Sequence, residues 1–361
     1  MSIYNNLDNI QIAKNQIKST DGSLLSPDGV VLYFSKERFV KDICKGDCCF
    51  ICGAAPESRE FNNEHVLPRW ILRQYQLFQR KIILPNGTTF SYDKYTIPCC
   101  SECNSMLGRK IEQPIKTLFD QGLSAVTAHI STNGSHLLLV WLSLLFIKTH
   151  LKDKLLKTNQ DHRIKESMIS DDYNWSFLHH IHCIARSFFT GCKVDSNVYG
   201  SLILTAAKTD DHYESFDFSD LYGANSIMVR VKDFALVAVL DDARGAISVF
   251  KEEFEKIEGA LSPIQLREIM AHLSYINLHL AERPVFYTEF SYPLRIRAHV
   301  PTFAKLIEYD RQYFGEIMHK CCSDMLQGFE NDNIDRVIMN VKKGNYTFLW
   351  DESGNFDPNS M

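Results

Sequence analysis

The sequence predicts a mixed α+β protein built from a small cysteine-bearing segment and a larger C-terminal domain. The first observation is a cluster of seven cysteines between Cys44 and Cys103, in a loop-rich stretch of the chain. The second is a change of character beyond Asp120, where a long helix-like pattern is followed by strand-like and then helix-like patterns. We therefore expect three segments: an N-terminal lead-in over residues 1–44, a cysteine-bearing module over 45–120 and an α+β domain over 121–361.

Composition and hydropathy predict an intracellular, water-soluble protein. The chain has 361 residues and a formal net charge of −5, which argues against a wholly basic nucleic-acid-coating protein but leaves room for local basic patches. The first ten residues are polar and lack the basic-then-apolar pattern of a secretory signal. The longest apolar run, residues 137–147, is too short for a helix to cross a hydrocarbon core of about 30 Å. We therefore expect a cytoplasmic location and no membrane partner.

Turn and cap residues divide the first 120 residues into short elements. Residues 26–34 predict a turn followed by a strand, because Pro-Asp-Gly precedes an apolar, β-branched run. Ser35 is the expected N-cap of a short helix. Asn86 and Gly87 separate two strand-like runs, which predicts a hairpin with a type I′ turn, since both residues accept positive φ angles.

Longer patterns follow in the C-terminal part of the chain. Residues 137–156 predict a buried helix, and residues 226–240 predict a pair of strands. Another helix is expected after Ser262, because Pro263 suits the first helical position and Gln265 completes a capping box with the serine. Helix, strands and helices in this order predict the second α+β domain.

Two CxxC elements carry the strongest chemical signal in the chain. Cys49 and Cys52 form the first, and Cys100 and Cys103 form the second. A CxxC turn lets two thiolates converge on one ion, and two such turns complete the tetrahedral shell of a structural Zn²⁺. Each pair has an adjacent cysteine on its N-terminal side, which would give CxxxC spacing and is not expected to bind the ion. A thioredoxin-like redox motif would leave the second pair unexplained.

Glu64 and His65 lie between the two CxxC elements, and Asn104 directly follows the second. Zinc binding must therefore bring the Glu64–His65 strand close to the helix that contains Asn104. Carboxylate and amide oxygens suit Mg²⁺, and an imidazole that does not bind the metal can take a proton from water. Neighbouring side chains of a strand point to opposite sides, so Glu64 can bind an ion while His65 faces a scissile phosphate. The simpler interpretation is a solvated pair at a strand end.

The order CxxC, Glu-His-Val-x-Pro and CxxC-Asn resembles the zinc-stabilised branch of the HNH (His-Me finger, ββα-metal) endonucleases. It is similar to phage Holliday-junction resolvases and to stand-alone bacterial HNH proteins with an "LGxxIE" helix, and it covers roughly residues 45–120. The resemblance implies an N-terminal ββα-metal zinc finger nuclease fold with His65 as general base. It also implies a catalytic Mg²⁺ or Mn²⁺ on Glu64 and Asn104, and a structural Zn²⁺ on Cys49, Cys52, Cys100 and Cys103.

Two features depart from the pattern of that family. Glu64 stands where many HNH nucleases have aspartate, although the more similar proteins also use glutamate. The stretch between Pro68 and Ile97 is long, and we expect it to carry target-specific contacts. Glu112, in the "LGxxIE" stretch, is expected to be an ion-pair or orienting residue near the site rather than a direct ligand.

Basic side chains near the motif are candidates for phosphate contacts. They make this segment more basic than the rest of the chain, which favours contacts to a nucleic-acid backbone, although a single basic side chain is more often just part of a solvated surface. The candidates are Arg69, Arg73, Arg109 and Lys110. The histidines of residues 177–189 are expected on a helix, in the core or at an interface, rather than in a second metal site.

The function expected from these residues is that of a metal-dependent HNH endonuclease that hydrolyses phosphodiester bonds. Nucleic acid, with DNA favoured, is the expected substrate, and the resemblance suggests defence against phage. The C-terminal domain is expected to set the target, the activation or the oligomeric state, through self-association or a partner defence protein. The alternative is a non-catalytic zinc-binding adaptor for nucleic acid or protein.

Overall fold

In the computed structural model the chain divides into two compact units that are interleaved in sequence. The cysteine-bearing unit contains residues 1–114, 143–198 and 286–298, and the sheet unit contains residues 115–142, 199–285 and 299–361. The structure describes residues 16–27, 29–159, 161, 163, 167–209, 214–291, 293–326 and 334–359. The polar start of the predicted lead-in, residues 1–15, therefore lies outside the described residues. The three-segment division remains a prediction about which pieces fold independently.

The sheet unit is built on a four-stranded antiparallel sheet. Ser226–Val231 and Phe234–Val239 are buried along their whole length, and most of their side chains are apolar. A two-residue turn joins them, with Val231 opposite Phe234 and Lys232 at a φ of 51°. The predicted strand pair is confirmed. In spatial order the strands of the sheet are Phe216–Leu221, Ser226–Val231, Phe234–Val239 and Ser201–Ala206.

Helices cover this sheet and close its core. Pro263–Leu278 has Ser262 as its N-cap, and the predicted capping box with Gln265 is present. Val237 of the sheet, Ile269 of this helix and Met318 of a later helix belong to one buried apolar cluster. Other helical segments lie wholly or largely in this unit: Gln113–Asp120, Leu123–Asn133, Tyr222–Ala224, Gly245–Phe254, Arg311–Leu326 and Ile334–Lys342. The predicted mixed α+β class is confirmed.

The cysteine-bearing unit consists of small sheets and short helices. Its strands are Ile17–Lys18, Leu24–Leu25, Val31–Tyr33, Phe61–His65, Lys81–Ile83, Thr89–Ser91, Thr96–Cys100, Lys193–Val194 and most of Val285–Glu289 and Arg295–His299. Its helical segments are Lys36–Arg38, Phe39–Cys44, Pro56–Ser58, Arg69–Gln74, Leu77–Gln79, Tyr92–Lys94, Ser101–Leu107, Gly108–Glu112, Ile169–Asp172, Trp175–Leu178, His179–Ala185, Ser187–Thr190 and Ser196–Val198. Ser35 caps the first helix through a bond from the Arg38 amide, as predicted.

The hairpin around Asn86 is present, but its predicted type I′ turn is wrong. Lys81–Ile83 and Thr89–Ser91 pair antiparallel. Gly87 has a φ of +75°, whereas Asn86 is not among the residues with positive φ. The Gly87 amide donates to the Leu84 carbonyl, so Pro85 is the second residue of the turn. Proline fixes φ near −65°, which favours an ordinary turn followed by one left-handed glycine over the mirror-image turn.

The longest helix of the described chain is His136–Asp153, which confirms the buried helix predicted over residues 137–156. From Ser143 onwards it belongs to the cysteine-bearing unit, where its side chains are almost all buried. Within the described residues, no helix by itself has both the length and the apolar character to cross a membrane. The bent pair Leu123–Asn133 and His136–Asp153 meets that criterion of length and composition only when both are taken together.

Candidate functional site

The two CxxC elements come together as the spacing predicted. The Sγ atoms of Cys49, Cys52, Cys100 and Cys103 all lie within 4.8 Å of one another, and all four residues are buried. The Cys52 and Cys100 sulfurs are 3.7 Å apart. A tetrahedral Zn²⁺ with Zn–S bonds of about 2.3 Å separates its sulfurs by about 3.8 Å. The cluster can therefore hold a metal ion such as zinc.

Local backbone geometry forms each half of this cluster. In the first half, the Gly53 amide donates to the Cys49 carbonyl at 2.8 Å, and Gly53 has a φ of +79°. A Cβ atom at Gly53 would lie 2.6 Å from the Phe34 ring, so glycine is required there for space as well as for conformation. In the second half, Cys100 ends a strand and Cys103 lies in the first turn of helix Ser101–Leu107.

Cys99 is a fifth cysteine close to this cluster. Its sulfur lies 3.8 Å from that of Cys49, and its side chain is fully buried. It does not belong to the group of four whose sulfurs are all within 4.8 Å of one another. Cys48, the other adjacent cysteine, is half-buried. The ligand set with CxxC spacing is therefore the one that the structure assembles.

Helix His179–Ala185 holds the backbone around the first CxxC turn. His182 is fully buried, and its Nε2 donates to the Phe50 carbonyl at 2.7 Å. His179 donates to the Phe34 carbonyl at 2.7 Å, and burial lowers its pKa to about 4. Burial likewise holds the pKa of His182 well below its ordinary value. Both histidines are neutral donors in the core, as the sequence predicted.

Glu64 and His65 end a strand that is paired with the strand leading to the second CxxC element. Phe61–His65 lies antiparallel to Thr96–Cys100, with Glu64 opposite Ile97 and His65 opposite Thr96. The chain then continues into helix Ser101–Leu107. The segment with Glu64 and His65 therefore belongs to a strand–strand–helix arrangement.

Asn104 contacts the same strand through Asn62, so the strand and the helix lie close together as expected. Its Nδ2 donates to Asn62 Oδ1 at 2.7 Å. Among the described residues, no hydrogen bond joins Asn104 to Glu64. The helix begins at Ser101, so Asn104 lies within its first turn. Since Asn62 and Glu64 are two residues apart on one strand, they share a face, and Asn104 therefore faces the side of the strand that carries Glu64.

Lys148 is the main partner of Glu64. Its Nζ donates to Glu64 Oε1 at 2.6 Å and to the His65 carbonyl at 2.9 Å. The lysine is 1% exposed and the glutamate 6% exposed. Burial lowers the pKa of Lys148, but the neighbouring carboxylates of Glu64 and Glu112 raise it above its ordinary value. The interpretation of Glu64 as a solvated residue is therefore wrong.

Glu112 completes this charged group. Its Oε1 lies 3.6 Å from Lys148 Nζ and is a buried atom without a hydrogen-bond partner among the described residues. Burial raises the pKa of Glu112, Lys148 lowers it and Glu64 raises it, and together they place the pKa at about 7. Glu112 ends the π-helical turn Gly108–Glu112, which separates two α-helical segments. Two carboxyl groups therefore share one buried ammonium group.

His65 is only half-buried, in contrast to Glu64. Burial lowers its pKa, and the positive charge of Arg69 acts in the same direction, while Glu64 opposes both. The edge of its ring faces Phe78, with 6.4 Å between the ring centroids. The imidazole therefore retains access to solvent and is favoured in its neutral form.

The predicted phosphate-binding side chains are all exposed. Arg69 and Arg73 lie on helix Arg69–Gln74, and Arg109 and Lys110 lie in the π-helical turn. Lys110 Nζ donates to the Phe188 carbonyl at 3.3 Å. Their exposure fits contacts with a polyanion and a solvated surface equally well.

Three residues of the site were not singled out from the sequence. Lys148 directly follows the uncharged run 137–147. A lysine next to a buried apolar run was the available signal that it needs a charged partner. Arg186, the C-cap of the helix that supports the first CxxC turn, is 2% exposed. Asn62, two residues before Glu64, was identifiable only from the alternation of a strand.

Comparisons with known proteins identify no relative of this chain. The chain matches no protein-family model, no curated protein and no solved structure. The site is consequently defined by its own contacts: a cysteine cluster that can hold a metal ion, and a charged group around Glu64 on the strand that pairs with the second CxxC element.

Replacement of Lys148 by methionine is expected to destabilise the cysteine-bearing unit by about 3–5 kcal/mol, because removal of one partner leaves a buried charge uncompensated. Equilibrium unfolding in urea measures the effect. The double variant Lys148→Met with Glu64→Gln removes both charges and should recover much of the loss. A Lys148→Met protein within about 0.5 kcal/mol of wild type would show that the pair contributes no more than a surface contact.

Proposed function

We propose that the protein is a metal-dependent endonuclease of the HNH type, with its active site in the cysteine-bearing unit. The observation that carries the proposal is the strand–strand–helix arrangement, in which Glu64 and His65 end one strand and Asn104 lies on the helix facing it. The cysteine cluster that can hold zinc lies at the start of the same helix. This arrangement supports the proposal, because two strands, a helix and a nearby zinc site are what the ββα-metal fold implied by the sequence motifs would require.

The donor set fits a hard divalent ion. Glu64 and Asn104 offer carboxylate and amide oxygens, which are the donors that Mg²⁺ and Mn²⁺ prefer. Glu112 Oε1 is a buried carboxylate oxygen without a hydrogen-bond partner among the described residues. When bound, such an ion would stabilise negative charge on the phosphate and on the leaving oxygen.

His65 supplies the proton transfer in this proposal. It is the half-buried neighbour of Glu64 and projects to the other side of the strand. Its neutral imidazole takes a proton from the attacking water, which forms the new O–P bond as the phosphodiester bond to the leaving oxygen breaks. Lys148 holds the Glu64 carboxylate and the His65 carbonyl at the same time, so the two neighbouring residues are positioned by one ammonium group.

The exposed basic residues Arg69, Arg73, Arg109 and Lys110 would contact the phosphate backbone of the substrate. DNA is the favoured substrate, and a role in phage defence is part of the same proposal. The sheet unit would then determine the target, the activation or the oligomeric state, through self-association or a partner protein.

One observation favours the second candidate, a non-catalytic zinc-binding adaptor. Glu64 Oε1 already has a buried ammonium partner at 2.6 Å. In an adaptor this ion pair would serve only to fix the strand to helix His136–Asp153, and His65 would have no proton to move. The two candidates differ in one measurable property, which is cleavage that depends on a divalent ion.

Purified wild-type protein is expected to cleave plasmid DNA in the presence of Mg²⁺ or Mn²⁺ and to stop when EDTA is added, because the proposed ion has to neutralise charge on the phosphate. Single-stranded DNA and RNA in parallel reactions define the substrate class. Binding of nucleic acid without cleavage of any of the three substrates would favour the adaptor.

A further inference from the structure

Arg186 is a buried guanidinium group without a carboxylate partner. It is 2% exposed, and it donates to the carbonyl oxygens of Ile51 and Val31. Its guanidinium carbon lies 4.5 Å from the centroid of the Phe34 ring. Its Nε and one terminal nitrogen thus have carbonyl partners, but no ion pair joins it to an aspartate or glutamate among the described residues.

An uncompensated charge in a protein interior is costly, and buried charges are normally paired. Another buried arginine of the same chain follows that rule. Arg267, at 4% exposure, contacts Asp217 at 2.7 Å and Asp324 at 3.3 Å. The surroundings of Arg186 offer the faces of the Phe34 and Phe189 rings, which attract a cation only moderately, so negative charge from another source would stabilise the guanidinium further.

One source of negative charge beside the bound carbonyl is the cysteine cluster. Arg186 binds the carbonyl of Ile51, which lies inside the first CxxC turn between Cys49 and Cys52. Four neutral thiols carry no charge, whereas four thiolates around one Zn²⁺ carry a net charge of −2. Zinc-loaded thiolates would therefore provide the anion that a buried guanidinium requires.

Helix His179–Ala185 and its C-cap, Arg186, also fix the shape of the first CxxC turn. His182 Nε2 donates to the Phe50 carbonyl, and Arg186, one helical turn later, donates to the carbonyl of the next residue, Ile51. Two successive carbonyls of the CxxC turn are thus held from one side by donors four residues apart. A turn held in this way presents its two sulfurs in the geometry required for one ion.

We propose that Arg186 is the counter-charge of a zinc tetrathiolate formed by Cys49, Cys52, Cys100 and Cys103, and that His182 and Arg186 together fix the first CxxC turn for zinc binding. Arg186 is a positioning residue, since it touches carbonyl oxygens and not the ion. The inference rests on the zinc site of the proposed function but not on nuclease activity. Zinc binding and the folding of residues 179–190 are then one coupled process.

The proposal is tested by the rate of zinc release from full-length protein to the colorimetric chelator 4-(2-pyridylazo)resorcinol. Arg186→Met is expected to release zinc about 10–100-fold faster than wild type, in line with the usual effect of residues that support metal ligands. Arg186→Lys keeps the charge and should stay within a few-fold of wild type. Arg267→Met is the matched control, a buried arginine with carboxylate partners in the sheet unit, and should leave zinc release unchanged.

Release from Arg186→Met at the wild-type rate would overturn the proposal, and so would equally fast release from Arg186→Lys, since charge would then play no part. If Arg186→Met does not fold, hydrogen exchange of the wild-type protein decides. On zinc removal with EDTA, residues 179–190 should lose protection together with residues 49–53, and retained protection would refute the coupling. Wild-type protein purified without zinc would overturn the proposal, because the zinc site on which it rests would be absent. Zinc-loaded protein that cleaves no nucleic acid would refute only the nuclease function.

Discussion

Replacement of His65 by alanine is expected to lower divalent-ion-dependent cleavage by about 10²–10⁴-fold, the usual effect of losing a general base. Zinc content, fold and nucleic-acid binding should remain close to wild type, because the half-buried imidazole is proposed to move a proton and not to bind either metal. Single-turnover cleavage of plasmid DNA at saturating Mg²⁺ measures the effect.

Two further variants separate this role from a general loss of structure. His129→Ala makes the same substitution at a half-buried histidine on helix Leu123–Asn133 of the sheet unit and should cleave normally. Asn104→Ala should be rescued in part by excess Mn²⁺, since the amide is a proposed ligand, whereas His65→Ala should not. Cleavage by His65→Ala at the wild-type rate would leave His65 without a catalytic role.

Glu64 is a less selective probe of the same chemistry. Its carboxylate is buried and paired with Lys148, so Glu64→Gln would change the stability of the fold together with any ion binding. A loss of cleavage in that variant would not separate the two effects. The half-buried neighbour and the amide on the helix are therefore the sharper tests.

Replacement of Cys103 by serine is expected to abolish zinc binding and to unfold the cysteine-bearing unit. Structural zinc contributes folding free energy directly, with apparent binding energies of about 10–16 kcal/mol in small zinc modules. Cys103 Sγ is one of the four mutually close sulfurs, and the serine hydroxyl does not replace a thiolate. Elemental analysis of the purified protein and circular dichroism measure zinc content and fold.

Cys99→Ser provides the matched control for this experiment. Its sulfur lies 3.8 Å from that of Cys49 but outside the group of four, so the variant should retain one zinc per chain. If Cys99→Ser loses zinc and Cys103→Ser retains it, Cys99 and not Cys103 would be the fourth ligand. Well-folded wild-type protein without zinc would overturn the metal-binding interpretation of the cluster as a whole.

Local signals explain why much of the fold could be predicted. The capping box at Ser262 and the fully buried strands between Ser226 and Val239 depend on residues close in sequence, and both are present as expected. The four cysteines were identified by a spacing that is typical of convergence on one metal ion, and their sulfurs do lie close together. The turn at Asn86 was predicted incorrectly because the preceding proline constrains the backbone more than the Asn-Gly pair does.

The contacts that were not predicted all bring together residues far apart in sequence. Lys148 reaches Glu64 across 84 positions, and Arg186 reaches the Ile51 carbonyl across 135. Composition and periodicity place both residues in buried helices, but neither describes what each helix packs against. For the same reason, the sequence did not indicate that residues 143–198 belong to the cysteine-bearing unit. The function of the site remains a proposal that the variants above can decide.

The π-helical turn Gly108–Glu112 makes the site respond differently to a longer and to a shorter chain. Such a turn accommodates one extra residue within an otherwise α-helical path, so Glu112 keeps nearly the direction that it would have with one residue fewer in a continuous α-helix. Removal of one residue, for example Arg109, would let the turn relax to an α-helix with Glu112 still directed towards Lys148. Insertion of one residue at the same exposed position would instead turn Glu112 by about 100° relative to Asn104 and carry it away from Lys148. An insertion is therefore expected to be far more damaging here than a deletion or the substitution Arg109→Ala.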